Sequence, residues 1–202
     1  SYNTAVGWNA AFTNTTGTGI NAFGAGALRL NTTGASNTAV GGTDGVSVGG
    51  ALTANTTGSY NVAMGTGALA SNTTASNNTA VGYQAGYSNT TGATGITAVG
   101  YQAGYSNTTG GITAVGRGAL YSNTTGYSNV AVGGYDSTNN IQGALYANTT
   151  GISNTAVGYG SLYSNTIGTA NTATGLGALQ GNTTGSNNSA FGMQALRYNT
   201  IG

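Results

Sequence analysis

The chain contains two carboxylate side chains, Asp44 and Asp136, and they are the first residues to consider for chemistry. Each follows a Gly-Gly-x sequence in an enlarged copy of a repeated unit, so the two lie in equivalent loops. The repeat places them about 24 Å apart along a stack of strands, whereas glycoside hydrolysis needs paired carboxylates within about 10 Å. A lone Asp is also a poor calcium site, because calcium takes about six to eight oxygen ligands. We therefore predict no catalytic and no metal site, and two interpretations stay open: ligand-binding loops, or turns that Asp caps.

The remaining composition excludes several other classes of function. Three arginines, Arg29, Arg117 and Arg197, are the only cationic side chains, and the chain has no Lys, Glu, His, Cys or Pro. Nucleic-acid binding needs clustered Lys and Arg, so we expect no nucleic-acid partner and isolated, solvated arginines. Without Cys or His there is no disulfide framework, no thiolate or imidazole metal ligand and no Ser-His-Asp triad. No apolar run approaches the ~20 residues of a membrane span, so we expect no membrane insertion. We also expect no cofactor.

Aromatic residues form the other candidate binding surface. Five tyrosines recur at one position of the repeat, namely Tyr87, Tyr105, Tyr121, Tyr146 and Tyr163. A second position holds Trp8, Tyr83, Tyr101 and Tyr159. Stacked tyrosines make a rigid, half-apolar strip with hydroxyl groups, which suits sugar rings or cell-surface polymers. The alternative is that one of the two columns lines an interface between chains.

These residues are positioned by an internal repeat. The phrase TAVGYQAGYSNTTG occupies 79–92 and returns unchanged at 97–110. Aligned on the Ala of A-V-G, the chain holds eleven copies, most of them seventeen residues apart, with loop insertions at 42–50 and 134–143. A short fixed period is typical of a solenoid, in which each unit stacks on the next. We predict a single repeat domain over 1–202.

The conserved positions within the copies predict how one coil is built. A Gly follows every A-V pair or its equivalent, and Asn-Thr follows seven residues later in the copies without an insertion, so both mark corners. Two short stretches, N-T-A-V-G and Q-A-L-Y-S-N-T-T, have the length and composition of strands. We predict an all-β fold, a parallel β-solenoid or β-roll of eleven coils of about 17 residues, with two strands per coil at ~4.8 Å spacing.

The corner asparagines are predicted to form a ladder of stacked amides. They are Asn14, Asn31, Asn55, Asn72, Asn89, Asn107, Asn123, Asn148, Asn165, Asn182 and Asn199. Nine of them also begin an N-T-T glycosylation sequon. Asn persists where the sequon is lost, at Asn165 and Asn199, and this favours the ladder, because an Asn inside a ladder cannot carry a glycan.

Burial of apolar surface in each coil contributes less free energy than the loss of conformational entropy on ordering that coil costs. We therefore expect side-by-side association of solenoids through one of two apolar columns. The first consists of Val6, Val40, Val81, Val99, Val115, Val132 and Val157. The second consists of Leu28, Leu52, Leu69, Leu120, Leu145, Leu162, Leu179 and Leu196.

Three phrases resemble a known family: NTAVGYQ at 78–84, SNTAVGYGSL at 153–162 and SNNSAFGMQAL at 186–196. They are similar to the repeats of trimeric autotransporter adhesin heads and of related phage tail-fibre proteins, and the likeness covers the whole chain. The resemblance implies a left-handed β-roll, a homotrimer about one axis, and a location outside the cell or on a cell or virion surface.

We therefore expect a non-catalytic extracellular structural or adhesive fibre or attachment head. It would bind a cell-surface glycan or protein receptor through its loops or its Tyr-rich face. Two alternatives stay open. One is an ice-binding β-solenoid, although adjacent Thr-Thr at a corner lacks the i, i+2 spacing that a flat face requires. The other is the subunit of a polymerising extracellular filament.

Overall fold

The computed structural model describes residues 2–135 and 143–201 and confirms a parallel β-solenoid. Eleven strands form one sheet in which each strand pairs with the next along the chain. The strands are β1 Thr4–Val6, β2 Asn21–Phe23, β3 Thr38–Val40, β4 Val62–Met64, β5 Thr79–Val81, β6 Thr97–Val99, β7 Ile112–Val115, β8 Asn129–Val132, β9 Thr155–Val157, β10 Thr172–Thr174 and β11 Ser189–Phe191. Within the described ranges, no helix is long and apolar enough to cross a bilayer.

The strand register follows the anchor alanines. Ala39 pairs with Ala63 across the first insertion, and Ala131 pairs with Ala156 across the second. Ala98 pairs with Ala80 eighteen residues before it and with Ala114 sixteen residues after it. Loops therefore absorb every change of coil length, and the sheet keeps one register from β1 to β11.

Alternation along each strand explains why the T-A-V phrase forms it. The anchor Ala points inward, and from Ala22 to Ala173 these side chains are fully buried. Thr and Val, on either side of it, point outward, as the two-residue period of a strand requires. β-branched residues favour such a surface. The sheet thus presents an outer face with one column of Thr and one column of Val.

The prediction of a second strand in each coil is wrong. The Q-A-L-Y-S-N-T-T stretch is a series of turns, and its Leu adopts a left-handed conformation, with φ of +49° at Leu69 and +51° at Leu120. Extended strands need negative φ. The strain costs about 1–2 kcal/mol per residue and is offset by burying the Leu side chain, which contributes about 1.5–3 kcal/mol. Backbone bonds still join the coils here, for example Leu28 N–H to the Ala51 carbonyl at 3.0 Å.

The Leu column lies in the interior, so the expectation that it can serve as an association face is wrong. Its members from Leu28 to Leu179 are fully buried. The Val column is the outer one, with Val132 and Val157 both 37% exposed. Of these two apolar columns, the Val column is the one that lies open on the surface.

The core has two interchangeable fillings. Copies that carry Leu in the Leu column have Asn two residues before the anchor Ala of the next copy, as in Leu120 with Asn129. Copies that carry Ala or Gly in place of that Leu have Ile in place of that Asn. The three such pairs are Ala11 with Ile20, Gly86 with Ile96 and Gly104 with Ile112. A Cβ added to Gly104 would lie 3.0 Å from Ile112 Cδ1. The Ile side chain therefore occupies space that Leu would otherwise fill.

The corner asparagines form a ladder of side-chain amides through the stack. Asn148 Nδ2 donates to Asn123 Oδ1 at 2.7 Å, and Asn165 Nδ2 donates to Asn148 Oδ1 at 2.8 Å. Asn148 is fully buried and also donates to the Gly151 carbonyl at 3.0 Å. An amide held in this way is inaccessible to glycosylation in the folded chain. These asparagines do not adopt positive φ, so their role at the corner is hydrogen bonding rather than left-handed geometry.

A second column of asparagines, buried from Asn37 to Asn171, was not predicted from the sequence. Its members are Asn3, Asn37, Asn61, Asn78, Asn129, Asn154, Asn171 and Asn188, and Ile replaces Asn in three coils. Asn37 Nδ2 donates to the Gly58 carbonyl at 2.7 Å, and Asn37 Oδ1 accepts from the Asn61 backbone N–H at 2.9 Å. Where both columns hold Asn, two sets of side-chain hydrogen bonds therefore tie one coil to the next.

Both columns have a defect at the fifth coil. Among the described residues, Asn78 Nδ2 and Asn89 Oδ1 are the two buried side-chain polar atoms that have no hydrogen-bond partner. The fifth coil is one residue longer and the sixth one residue shorter than the seventeen-residue period, which displaces the corner after Asn89. The side-chain hydrogen bonding of the stack is therefore least complete around the fifth coil.

Candidate ligand-binding face

Five tyrosines form a continuous stack along one side of the solenoid, which we call the tyrosine strip. They are Tyr87, Tyr105, Tyr121, Tyr146 and Tyr163. Neighbouring ring centroids lie 5.1 to 5.9 Å apart and the rings are tilted by 6 to 21°. The ring faces therefore cover one another, and the strip presents ring edges and hydroxyl groups to a ligand.

Backbone hydrogen bonds hold the rings one coil apart. Ser106 N–H donates to the Tyr121 carbonyl at 3.0 Å, and Ser122 N–H donates to the Tyr146 carbonyl at 3.0 Å. The tyrosine side chains are half-buried. Burial, followed by the neighbouring Tyr121, raises the pKa of Tyr105 and of Tyr146 above the usual 10.0. The raised pKa keeps the hydroxyl groups of Tyr105 and Tyr146 protonated at physiological pH, and a protonated phenol can both donate and accept a hydrogen bond.

The second aromatic column contains a stacked cation. Tyr83 and Tyr101 stack with centroids 5.3 Å apart. The Arg117 guanidinium carbon lies 5.3 Å from the Tyr101 centroid and 4.3 Å from that of Tyr135, which belongs to the second insertion. Arg117 is exposed, but it is held between two rings rather than isolated as the sequence analysis expected. Trp8 and Tyr159 share this repeat position in other coils and are exposed.

A groove of about 220 Å³ connects the two columns. Its lining residues are Tyr101, Gln102, Arg117, Gly118, Tyr121 and Tyr146. Gln102 Nε2 donates to Gln84 Oε1 at 2.8 Å, which holds the amide at the edge of the groove. The groove therefore combines a guanidinium group, an amide and phenol hydroxyls around one depression.

A second groove, of about 260 Å³, repeats this combination farther along the stack. It is lined by Tyr163, Ser164, Gln180, Gly181, Arg197 and Tyr198. The Arg197 guanidinium carbon lies 5.4 Å from the Tyr198 centroid. Each of the two grooves thus places one arginine, one glutamine and tyrosines together.

The Asp44 carboxylate is occupied by its own loop. Oδ1 accepts the backbone N–H groups of Val46, Ser47 and Val48 at 3.0, 2.9 and 2.8 Å. These backbone hydrogen bonds lower the pKa of Asp44 below its usual 3.8. This is the geometry of an Asp that organises a turn, and the other oxygen, Oδ2, accepts the Ser47 hydroxyl at 3.4 Å. Asp136, the other candidate, lies outside the described residues.

Both insertions leave the coil at the same turn. In an ordinary copy the Ala103 N–H donates to the Gly100 carbonyl at 3.3 Å. In the enlarged copies the same bond runs from Ala51 to Gly41 at 3.0 Å and from Ala144 to Gly133 at 3.1 Å. Both enlarged coils are therefore closed by the same bond as an ordinary coil, next to the second aromatic column.

Among residues 2–135 and 143–201, no three His, Cys, Asp or Glu side chains come together as a metal site would require. The column of five tyrosines was predicted from the sequence, whereas the contacts of Arg117 with Tyr101 and Tyr135 were not, although Arg117 occupies the repeat position of Tyr83 and Tyr101. Comparison of the chain with protein-family models, with curated proteins and with solved structures found no match.

Proposed function

We propose that this chain is a non-catalytic, extracellular attachment element, of the kind found in adhesin heads and tail fibres, and that it binds a glycan polymer along its aromatic face. The tyrosine strip is the observation that carries the proposal. Its hydroxyl groups recur at the coil spacing, with ring centroids 5.1 to 5.9 Å apart. A row of equally spaced donors and acceptors suits a ligand made of repeated, hydroxyl-rich units.

The rigidity of the scaffold supports the same proposal. A binding face that is ordered in advance loses little conformational entropy when it takes up a ligand. The rings are fixed by stacking, and the coils beneath them are tied by two columns of buried asparagines, of which Asn123 and Asn154 are examples. Stacked aromatic residues contribute contact area with few side-chain rotations to freeze.

Binding of glycans to paired variants tests the proposal. Replacing Tyr105, Tyr121 and Tyr146 together by Phe keeps the stack but removes three hydroxyl groups, and we expect a loss of glycan binding with an unchanged melting temperature. The triple Ala variant removes the rings as well and should bind no better than the Phe variant. Full binding by the Phe variant would contradict the proposed role of the hydroxyl groups.

Side-by-side association is the second part of the proposal, with three chains as the favoured number. The outer face of the sheet exposes an uncharged apolar column, in which Phe23 is 40% and Met64 is 44% exposed. Covering this column would add the buried surface that a narrow, Ala-lined core lacks. We expect the mass in solution, from sedimentation equilibrium, to be that of a trimer, and Val99→Asn with Val115→Asn to dissociate it. A parent chain that is monomeric at micromolar concentration would contradict this part.

One observation favours ice binding as a second candidate. On the outer face, Thr and Val stand at i and i+2 in six strands, including the three consecutive strands β5 to β7. Such a face is flat, and its side chains point the same way. The larger Phe23, Met64 and Phe191 interrupt it. Thermal hysteresis measured on the parent and on Thr97→Leu decides between the candidates, because a glycan-binding trimer that covers this face would show none.

A further inference from the structure

We infer that the ligand of the aromatic face is an acidic polysaccharide, whose sugars carry carboxylate or sulfate groups. This inference rests on the proposed function, because it names the ligand class of the same face. Two of the three arginines, Arg117 and Arg197, line the two grooves of this face. Arg117 occupies the repeat position of Tyr101, and Arg29 and Arg197 occupy that of Tyr105.

The Arg117 guanidinium group is arranged to bind an anion. The guanidinium carbon lies 5.3 Å from the Tyr101 ring centroid and 4.3 Å from that of Tyr135, so two rings fix its position, and its planar fork of N–H groups matches the geometry of an anion. Asp44 is the one carboxylate side chain within the described residues, and its oxygens accept hydrogen bonds from its own loop. Arg117 is therefore fixed, charged and exposed, and no carboxylate within the described ranges neutralises it.

The neighbours of Arg117 fit the remainder of an acidic sugar. A planar guanidinium binds carboxylate or sulfate oxygens through two parallel N–H bonds. Gln102, Tyr121 and Tyr146 line the same groove and can bind sugar hydroxyls. The second groove repeats the set with Arg197 and Gln180. Four coils separate the two arginines, about 19 Å at the strand spacing, so one polymer chain can reach both grooves.

The charge pattern favours a sugar polymer over a polyphosphate. Nucleic acids are bound through many clustered cations, whereas each groove here holds one arginine surrounded by neutral hydroxyl and amide groups. One anionic group per few sugars matches that ratio. Neutral polymers would leave the arginines unused.

The test compares three polymers and three variants in affinity electrophoresis. The polymers are polygalacturonate, dextran sulfate and uncharged dextran, which separate carboxylate, sulfate and neutral ligands. The variants are Arg117→Gln, Arg117→Lys and, as a matched control, Arg29→Gln, which removes the same charge from the face but lies outside both grooves. We expect the parent to bind one acidic polymer at least tenfold more tightly than dextran. Arg117→Gln should lose about tenfold, Arg117→Lys less, and Arg29→Gln should match the parent.

Each outcome decides the inference. Equal affinity for dextran and both acidic polymers would overturn it while leaving the proposed glycan-binding function intact. Equal losses in Arg29→Gln and Arg117→Gln would also overturn it, because the attraction would then be general rather than located in the groove. Absence of binding to all three polymers, with no effect of the tyrosine variants on attachment to cells, would count against the proposed function itself. A melting curve for each variant separates a loss of binding from a loss of folding.

Discussion

Asparagine is the residue on which the stack most depends. Asn148 makes three side-chain hydrogen bonds, to Asn123, to Asn165 and to the Gly151 carbonyl, and it is fully buried. Asn89 is equally buried, yet it makes one such bond, to Asn72 Oδ1 at 2.9 Å, and its own Oδ1 has no partner among the described residues. Asn148 and Asn89 belong to the same column, yet they differ in the number of side-chain hydrogen bonds that they form.

We predict that Asn148→Ala destabilises the chain by about 3 kcal/mol and Asn89→Ala by about 1 kcal/mol, because a buried polar group left unpaired costs about 1–3 kcal/mol. Asn148→Ala removes partners from two neighbouring amides, whereas Asn89→Ala removes one bond and one unsatisfied oxygen. Denaturant midpoints of the two variants check the prediction. Equal midpoints would mean that the amide column does not act as a ladder.

Single residues also mark the limits of prediction from sequence. The Asn148 column is unbroken in eleven copies, so it was visible by alignment. The second column is interrupted by Ile20, Ile96 and Ile112, and an interrupted polar column has no signature of its own. The column could have been found from its correlation with the Leu column. Ile stands in place of Asn in the copies where Ala or Gly stands in place of Leu, because the Leu and Ile side chains fill the same volume of the core. Arg117 was judged isolated because the ring above it, Tyr135, belongs to an insertion outside the repeat.

The coil is the element in which the two core fillings can be exchanged. Gly104 and Ile112 fill one coil junction, where a Cβ on Gly104 would lie 3.0 Å from Ile112 Cδ1. Gly104 already has the left-handed φ of +59° that Leu adopts elsewhere, as at Leu120 with +51°. A Leu at 104 is thus permitted by the backbone and opposed by the Ile side chain.

We predict that Gly104→Leu costs about 1–3 kcal/mol by overpacking. Ile112→Asn should cost a similar amount, because it removes apolar filling. The double variant restores the Leu and Asn pair of other coils and should be more stable than either single variant. A double-mutant cycle on denaturant midpoints measures the coupling, and additive losses would contradict the exchange.

Half of each coil was predictable and half was not, for a physical reason. The T-A-V strands follow from alternation and β-branched residues, so β1 to β11 were found with their register. The Q-A-L-Y-S-N-T-T half was predicted to be a strand because its length and composition are typical of strands. Leu28 and its equivalents instead adopt positive φ, and Leu gives no sign of this, since left-handed conformations are expected from Gly, Asn and Asp. Burial of the Leu side chain offsets the strain within each coil.

The whole molecule should respond to alkali rather than to mild acid. It has no His, so no side chain titrates between its carboxylates and its tyrosines, and we predict constant stability from about pH 5 to pH 9. The pKa values of Tyr105 and Tyr146 are raised above 10.0, first by burial. The unfolded chain therefore loses these protons at lower pH than the folded chain. Their contribution is complete below pH 10.0 and is lost as pH rises through the raised values.

Denaturant midpoints measured across alkaline pH check this prediction. The parent should lose stability steeply above pH 10.0, whereas a variant with Phe at Tyr105 and Tyr146 keeps the stacking and should lose less. Parallel losses in the parent and in this variant would place the alkaline sensitivity outside the buried part of the strip.

The insertions can be removed without disturbing the stack, because each coil closes by the same Ala-to-Gly bond with or without them, at 3.0 Å for Ala51 and 3.3 Å for Ala103. We predict that replacing 42–50 or 134–143 by the Thr-Gly spacer of the fourth copy leaves the melting temperature and the mass in solution close to those of the parent. Binding should distinguish the two deletions. Loss of 42–50 removes a loop whose Asp44 is already satisfied and should leave glycan affinity unchanged.

Loss of 134–143 removes Tyr135, one of the two rings that hold Arg117, and should weaken the binding of acidic glycans. A Tyr-Gln spacer in place of Thr-Gly at 134–143 puts a ring back at the repeat position of Tyr83 and Tyr101, beside Arg117. We expect it to recover most of the lost affinity, since the cation again has two rings beside it. Equal binding by both spacers would show that Arg117 does not depend on its second ring, and weakened binding by the 42–50 deletion would move recognition from the aromatic face to the loops.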